Sequence, residues 1–147
     1  MSDRTKRDII IAAEPERILD VIGDAAAYPE WAAGTSAGEV TLEGDAPLRP
    51  RRARFTLSTV LTDDFELEYT WSADGVSWTL VSSEMQKSQE GAYRLEPVGD
   101  GSTRVTYELE VATKVPLLGM LRRKAEHRIV ETALSGLKSR VESGAGA

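Results

Sequence analysis

Residues 65–72 alternate strictly between apolar and polar side chains, and this period of two is the feature that most constrains the fold. One parity holds Phe65, Leu67, Tyr69 and Trp71, and the other holds Glu66, Glu68, Thr70 and Ser72. Because successive side chains of a strand point to opposite faces, the pattern predicts a strand with one buried and one solvated face. The Asp74-Gly75 pair that follows is typical of a tight hairpin turn.

The same alternation continues from about Ser36 to Thr113, with a second hairpin signal at Asp100-Gly101. This stretch predicts about six strands, each with one apolar face. Such strands are typical of an antiparallel sheet with one solvent-exposed face and one face covered by other parts of the protein.

Ahead of this region, Ile9-Ile10-Ile11-Ala12-Ala13 predicts a strand with both faces partly covered. Glu14-Pro15-Glu16 then begins a helix, because proline fits the first helical turn and acidic groups complement the helix dipole. Residues 25–33 predict a second short helix, kinked at Pro29 and ending near Gly34.

Residues from about Leu117 to Glu142 predict one long helix, which would cover the apolar face of the sheet. Its apolar stripe, at spacings of three and four, consists of Leu118, Leu121, Ala125, Ile129, Ala133, Leu137 and Val141. The expected architecture is α+β: a curved antiparallel sheet of about seven strands wrapped around a long C-terminal helix, with two short helices after strand 1. We expect residues 1–147 to form a single domain, ordered over about 4–142.

Composition excludes several classes of function. The 147 residues include no cysteine and a single histidine, His127, so thiol catalysis is excluded and a metal site is not expected. The net charge of −6 disfavours nucleic acid as a partner. No apolar run approaches the about 20 residues of a membrane span, and the N-terminal segment lacks a secretory pattern, so we expect a cytoplasmic protein without stable membrane insertion. No catalytic motif and no cofactor fingerprint is present, so we assign no catalytic residue and no cofactor.

The chain resembles the START-like superfamily, also called SRPBCC or Bet v 1-like, which has the helix-grip fold. The resemblance covers about Arg4 to Val141 and lies in the order of the elements and in three segments. These segments are Tyr28-Pro29-Glu30-Trp31, Gly91-Ala92-Tyr93-Arg94-Leu95-Glu96-Pro97 and Leu121-Arg122-Arg123-Lys124-Ala125-Glu126. The chain is most similar to the polyketide cyclase/dehydrase and lipid transport group, near its coenzyme Q-binding branch. The resemblance implies a deep apolar cavity between the sheet and the long helix.

The strand parity independently gives candidate residues for the lining of such a cavity, and they include six of the nine aromatic residues. The residues expected to contact a ligand from the sheet are Phe55, Leu57, Leu67, Tyr69, Trp71, Trp78, Tyr93 and Tyr107. Aromatic walls with a few polar tips suit a flat or elongated apolar ligand. The alternative is that these side chains simply fill the core.

Three further candidates lie on or near the long helix. Arg122 and Glu126 are four residues apart and share the helical arc of Leu118, so they could hold the polar head of a ligand at the cavity mouth. The alternative is an ion pair at the edge of the helix. Trp31, together with Tyr28, could close one end of the cavity or anchor the short helices to the core.

These observations favour a carrier or sensor that binds a hydrophobic small molecule of lipid, quinone or polyketide type. The alternative is a polyketide cyclase or aromatase that positions a reactive chain in the same cavity. A protein-binding module ranks last, because the outward parity of the strands is charged. No protein partner is assigned.

Overall fold

The computed structural model describes residues 4–58, 62–114 and 119–144, with the backbone alone for 119–122. Seven strands form one antiparallel sheet in the order β1-β7-β6-β5-β4-β3-β2. The strands are β1 Thr5–Ile11, β2 Thr35–Leu42, β3 Arg52–Ser58, β4 Thr62–Ser72, β5 Gly75–Ser83, β6 Gln86–Gly99 and β7 Ser102–Thr113. The helices are α1 Pro15–Gly23, a short 3₁₀ helix Ala25–Glu30 and α2 Gly119–Glu142. This order of elements confirms the predicted α+β helix-grip fold.

Both predicted hairpin turns are present. β4 ends at Ser72 and β5 begins at Gly75. Between β6 and β7, Asp100 has φ 54° and Gly101 has φ 73°. Two successive residues in the left-handed region match the twist of a two-stranded hairpin, and Asp-Gly adopts that conformation at low cost.

The two faces of the sheet differ in polarity, as the alternation predicts. Buried inner-face residues include Phe55, Phe65, Leu67, Tyr69, Trp78, Tyr93, Leu95, Val105, Tyr107 and Leu109. The outer face carries cross-strand ion pairs such as Arg52–Glu68 and Arg54–Asp64. The carboxylates of Glu108 and Glu110 contact Arg4 there. Exposed pairs of this kind add little stability and keep the face soluble.

The short helices cover part of the inner face. Pro15 stands in the first turn of α1, and Ile18, Leu19 and Ile22 bury its apolar side. Pro29 lies inside the 3₁₀ helix, which packs beside β2. The hydroxyl of Tyr28 donates a hydrogen bond to the carbonyl oxygen of Ile22 at 2.6 Å and so ties the 3₁₀ helix to α1.

The predicted buried stripe of α2 is partly wrong. Val130, Leu134, Leu137 and Val141 are buried, whereas Ile129 is 44% exposed and Ala125 is exposed. Apolar residues stand side by side at Ile129-Val130 and at Ala133-Leu134, so the sequence supports two stripes about 100° apart. The stripe through Val130 and Leu134 faces the protein interior, and α2 packs most extensively against β1 and β7.

The first strand also differs from its prediction. β1 begins at Thr5 and ends at Ile11, and Ile10 is 40% exposed. β1 is an edge strand paired only with β7. Its outer face therefore lies on the solvated side of the sheet, although it carries an isoleucine.

Candidate ligand-binding site

A continuous cluster of aromatic rings occupies the centre of the inner face, with the Trp78 indole of β5 at its middle. The Trp78 ring centroid lies 6.0 Å from that of Tyr69 on β4, 5.5 Å from that of Tyr93 on β6 and 5.7 Å from that of Tyr107 on β7. The ring lies over Gly91, where a Cβ atom would clash with the indole. A glycine directly across the strand therefore makes room for the largest side chain of the cluster.

A buried hydrogen-bond chain holds the Trp78 ring in place. The Trp78 Nε1 atom donates to Gln89 Oε1 at 2.8 Å, and Gln89 Nε2 donates to Gln86 Oε1 at 2.6 Å. Gln86 Nε2 in turn donates to Asp63 Oδ2 at 2.9 Å. Asp63, Gln86 and Gln89 are all buried. Each amide both donates and accepts, so the chain fixes the orientation of every member.

The carboxylate of Asp63 is the acceptor at the end of this chain. It also accepts the hydroxyl of Ser83 and the backbone N–H groups of Glu84 and Met85. Every partner is a donor, which suits an ionised carboxylate and satisfies it without a cation. Asp63 thereby connects β4 to the turn between β5 and β6.

Three tyrosine hydroxyls of the cluster differ from its other polar atoms. Among the described residues, the hydroxyls of Tyr69, Tyr93 and Tyr107 form no hydrogen bond; the side chains are only 8%, 5% and 7% exposed, yet the hydroxyl oxygens are not fully buried. Burial raises the pKa of all three phenols well above the ordinary value, and nearby phenols raise the pKa of Tyr69 and of Tyr93 further. The three groups are therefore neutral donors at physiological pH.

Glu126 lies on the inner side of α2 and is 2% exposed. Its carboxylate accepts the backbone N–H of Val111 at 2.7 Å and the hydroxyl of Thr5 at 3.3 Å. Glu126 is therefore buried and bonded to β7 and β1, and these two partners could not be read from residue spacing. The side chain of Arg122, its partner in the predicted ion pair, lies outside the described residues, so that pair stays a prediction.

Trp31 lies between the 3₁₀ helix and α2. Its ring centroid is 4.8 Å from that of Tyr28, and a Cβ atom at Gly136 of α2 would lie 2.6 Å from the Trp31 carbonyl oxygen. This close approach supports the anchoring role for Trp31. Among the described side chains, the Trp31 Nε1 atom is the one fully buried polar atom without a hydrogen-bond partner.

The structure brings most predicted site residues to one surface. Phe55, Leu67, Tyr69, Trp78, Tyr93 and Tyr107 are buried on the inner face, and Leu57, Trp71 and Trp31 are half-buried against the same core. Leu118 and the side chain of Arg122 lie outside the described residues. Contact of any of these residues with a ligand stays a prediction. The chain of Asp63, Gln86 and Gln89 was missed, because its residues resemble ordinary turn and surface polar groups in the sequence.

A separate cleft of about 430 Å³ lies on the outer face of the sheet. Its floor includes Thr70, Ser77, Thr79 and Ala92, and its rim carries Arg4, Arg51, Arg94, Glu68, Glu90 and Glu108. Mixed charges and hydroxyls make this cleft unsuited to an apolar ligand.

The described part of the chain contains no helix that is long and apolar enough to cross a bilayer. In the same residues, no group of histidine and acidic side chains is arranged to hold a metal ion.

Solved structures with the same architecture include a START superfamily protein from Mycobacterium smegmatis. The two chains share 22% identity with a TM-score of 0.87, and the match covers 95% of this chain and 97% of that one. The Zhui aromatase/cyclase from Streptomyces sp. R1128 matches at 13% identity and a TM-score of 0.81, over 100% and 98% of the two chains. A STAR-related lipid transfer protein from Xanthomonas axonopodis matches at 14% identity and a TM-score of 0.72, over 95% and 85%.

At these identities the likeness shows the START-like fold and not the activity. No curated protein matches the chain. A family model described as polyketide cyclase/dehydrase and lipid transport matches residues 3–142, nearly the whole sequence. With its helix-grip fold, the chain therefore belongs to the polyketide cyclase/dehydrase and lipid transport family.

Proposed function

We propose that the protein binds a hydrophobic small molecule of lipid, quinone or polyketide type between the inner face of the sheet and α2, as a carrier or sensor. The observation that carries this proposal is the aromatic cluster around Trp78, in which three tyrosine hydroxyls have no partner among the described residues. The rings of these tyrosines are buried, whereas their hydroxyl oxygens are not fully buried. Unpaired hydroxyls beside apolar rings are typical of a surface that receives a ligand.

The relatives agree with this class of function. The family model names lipid transport, and one solved structure of the same fold is a STAR-related lipid transfer protein. The buried inner-face residues in the described part of the chain include no lysine and no arginine. A neutral ligand therefore suits this surface better than an anionic one.

A cyclase or aromatase is the second candidate, since an aromatase/cyclase shares the fold. General acid–base chemistry needs a group that exchanges a proton near neutral pH. The raised pKa values of Tyr69, Tyr93 and Tyr107 leave these phenols able to donate a hydrogen bond but not to act as a base. The described inner face thus favours binding over catalysis.

The experiment is native mass spectrometry of the freshly purified protein, followed by extraction and identification of the bound molecule. We expect a one-to-one complex with an apolar compound that is released intact. An empty protein that turns over a β-ketone chain would support the cyclase instead, and an empty protein without turnover or binding would contradict both.

A matched pair of variants tests the location. Leu57 is half-buried on the inner face of β3, and the adjacent Thr56 lies on the opposite face, across the strand from Asp64. Leu57→Arg places a charge at the binding surface, and we expect it to reduce the bound fraction strongly. Thr56→Arg places the same charge on the solvated face, and we expect it to retain the ligand. Circular dichroism of both variants verifies the fold.

A further inference from the structure

The hydroxyls of Tyr69, Tyr93 and Tyr107 come from three different strands and converge on one region of the inner face. Tyr93 of β6 and Tyr107 of β7 stand directly opposite each other in the strand register, with ring centroids 4.5 Å apart. Tyr69 of β4 reaches the same region, with the Trp78 ring of β5 lying between it and the other two. The sheet thus holds three phenols in a fixed arrangement.

Of the other polar ring atoms of the core, three already have a partner, whereas Trp31 Nε1 has none among the described residues. Tyr28 donates to the Ile22 carbonyl, Trp71 Nε1 donates to the Pro50 carbonyl at 2.7 Å, and Trp78 Nε1 donates to Gln89. The three remaining hydroxyls have none among the described residues. These three hydroxyl oxygens are not fully buried, since Trp31 Nε1 is the one fully buried atom without a partner among the described side chains, so they can donate to an acceptor supplied from outside the protein.

The chemistry of that acceptor follows from the donors. A neutral phenol donates one hydrogen bond to a carbonyl or ether oxygen, and its ring and the neighbouring indole favour a flat molecule. The two buried carboxylates of the described inner region already accept hydrogen bonds, Asp63 from Ser83 and Gln86, and Glu126 from Val111. The three tyrosine hydroxyls are therefore the donors that could recognise a neutral oxygen atom of a ligand.

We propose that Tyr69, Tyr93 and Tyr107 form a donor set that selects a planar ligand bearing carbonyl oxygens, of quinone or aromatic polyketide type, over an unoxygenated molecule of the same shape. This inference rests on the proposed function and specifies its ligand class. The three residues determine specificity through contact with the ligand. They take no part in a chemical step.

The test uses two probes that share a carbon skeleton: menadione, which carries two carbonyl oxygens, and 2-methylnaphthalene, which carries none. Equilibrium dialysis measures the affinity of each for the whole chain. The absence of cysteine removes the thiol groups that would react with a quinone. We expect the native protein to prefer menadione, and the triple variant Tyr69→Phe, Tyr93→Phe, Tyr107→Phe to bind it at least about tenfold more weakly, the equivalent of one hydrogen bond.

The same variant should keep its affinity for 2-methylnaphthalene within about twofold, because phenylalanine preserves the apolar rings. Its resistance to urea should be equal to or above that of the native chain, since the lost hydroxyls have no protein partner. Tyr28→Phe is the control, because its hydroxyl is already bonded to Ile22, and it should leave the preference for menadione unchanged.

Two results would overturn the donor set: equal affinity of the native chain for both probes, or a triple variant that loses both probes alike. If the triple variant does not fold, the affinities of the single variant Tyr107→Phe for menadione and 2-methylnaphthalene are compared with those of the native chain instead. Failure of the native chain to bind either probe, or any molecule recovered by extraction, would instead contradict the proposed function together with this inference.

Discussion

The carboxylate of Glu126 on α2 accepts the backbone N–H of Val111 on β7 at 2.7 Å, with the glutamate 2% exposed. This hydrogen bond joins the long helix to the strand beneath it. Because a buried backbone N–H left without a partner is costly, Glu126 has a structural role whatever ligand the protein binds.

Replacement of Glu126 by alanine should therefore destabilise the fold. We expect Glu126→Ala to lower the free energy of unfolding by about 1–3 kcal/mol, since the N–H of Val111 and the hydroxyl of Thr5 both lose their acceptor. The measurement is urea unfolding followed by circular dichroism. Glu131 is an exposed glutamate of the same helix, and Glu131→Ala should change stability by less than about 0.5 kcal/mol. Equal stability of the two variants would show that the buried contact carries no energy.

Asp63 and Asp64 are neighbours with opposite environments, and they give a second matched pair. In Asp63→Asn the new amide would point N–H donors at the donors of Ser83 and Gln86. We expect a loss of about 2–4 kcal/mol in the free energy of unfolding. We also expect the fluorescence of Trp78 to change, because its indole lies at the other end of the hydrogen-bond chain that begins at Asp63.

Asp64 forms an ion pair with Arg54 on the outer face at 3.0 Å, with both side chains partly exposed. Asp64→Asn should therefore cost at most about 1 kcal/mol. Differential scanning calorimetry of both variants provides the check. A larger loss in Asp64→Asn than in Asp63→Asn would contradict the assignment of the buried network.

Alkaline pH should unfold the protein cooperatively. All four tyrosines of the chain belong to the core or pack against it, and burial raises the pKa of each. The unfolded chain releases the phenolic protons near pH 10, whereas the folded chain retains them, so the folded state binds more protons above that pH. The free energy of unfolding then falls as the pH rises, by up to about 1.4 kcal/mol per pH unit for each tyrosine.

Ultraviolet absorbance of tyrosinate, recorded beside far-ultraviolet circular dichroism, tests this dependence. The two signals should change together in one transition above about pH 10. The triple phenylalanine variant should show a shallower loss of stability over the same range. Gradual ionisation of all four tyrosines near pH 10 with the sheet intact would disprove the burial of the phenols.

The strands and hairpins of this chain could be predicted from sequence because each one carries its own alternating signal. Asp100-Gly101 and the run from Phe65 to Trp71 required no knowledge of the rest of the fold. The buried face of α2 could not be resolved in the same way, because Ile129 and Val130 offer adjacent apolar stripes and only packing against β1 and β7 decides between them.

The aromatic part of the candidate site followed from strand parity, whereas its polar part did not. The Asp63 carboxylate meets Gln86 and the turn after Ser83 only because β4 and β5 pair in one particular register. The local sequence does not specify that register. Thr5 and Glu126 likewise lie 121 residues apart in the chain and meet only in the folded protein.

The central claim is that a ligand binds between the inner face of the sheet and α2. The most direct measurement is a set of intermolecular nuclear Overhauser effects between bound menadione and the protein. We predict contacts to the ring protons of Trp78 and Tyr107 and to the methyl groups of Val130 or Leu134. Contacts confined to the methyl groups of Thr70, Thr79 and Ala92 would place the ligand in the outer cleft and contradict the account.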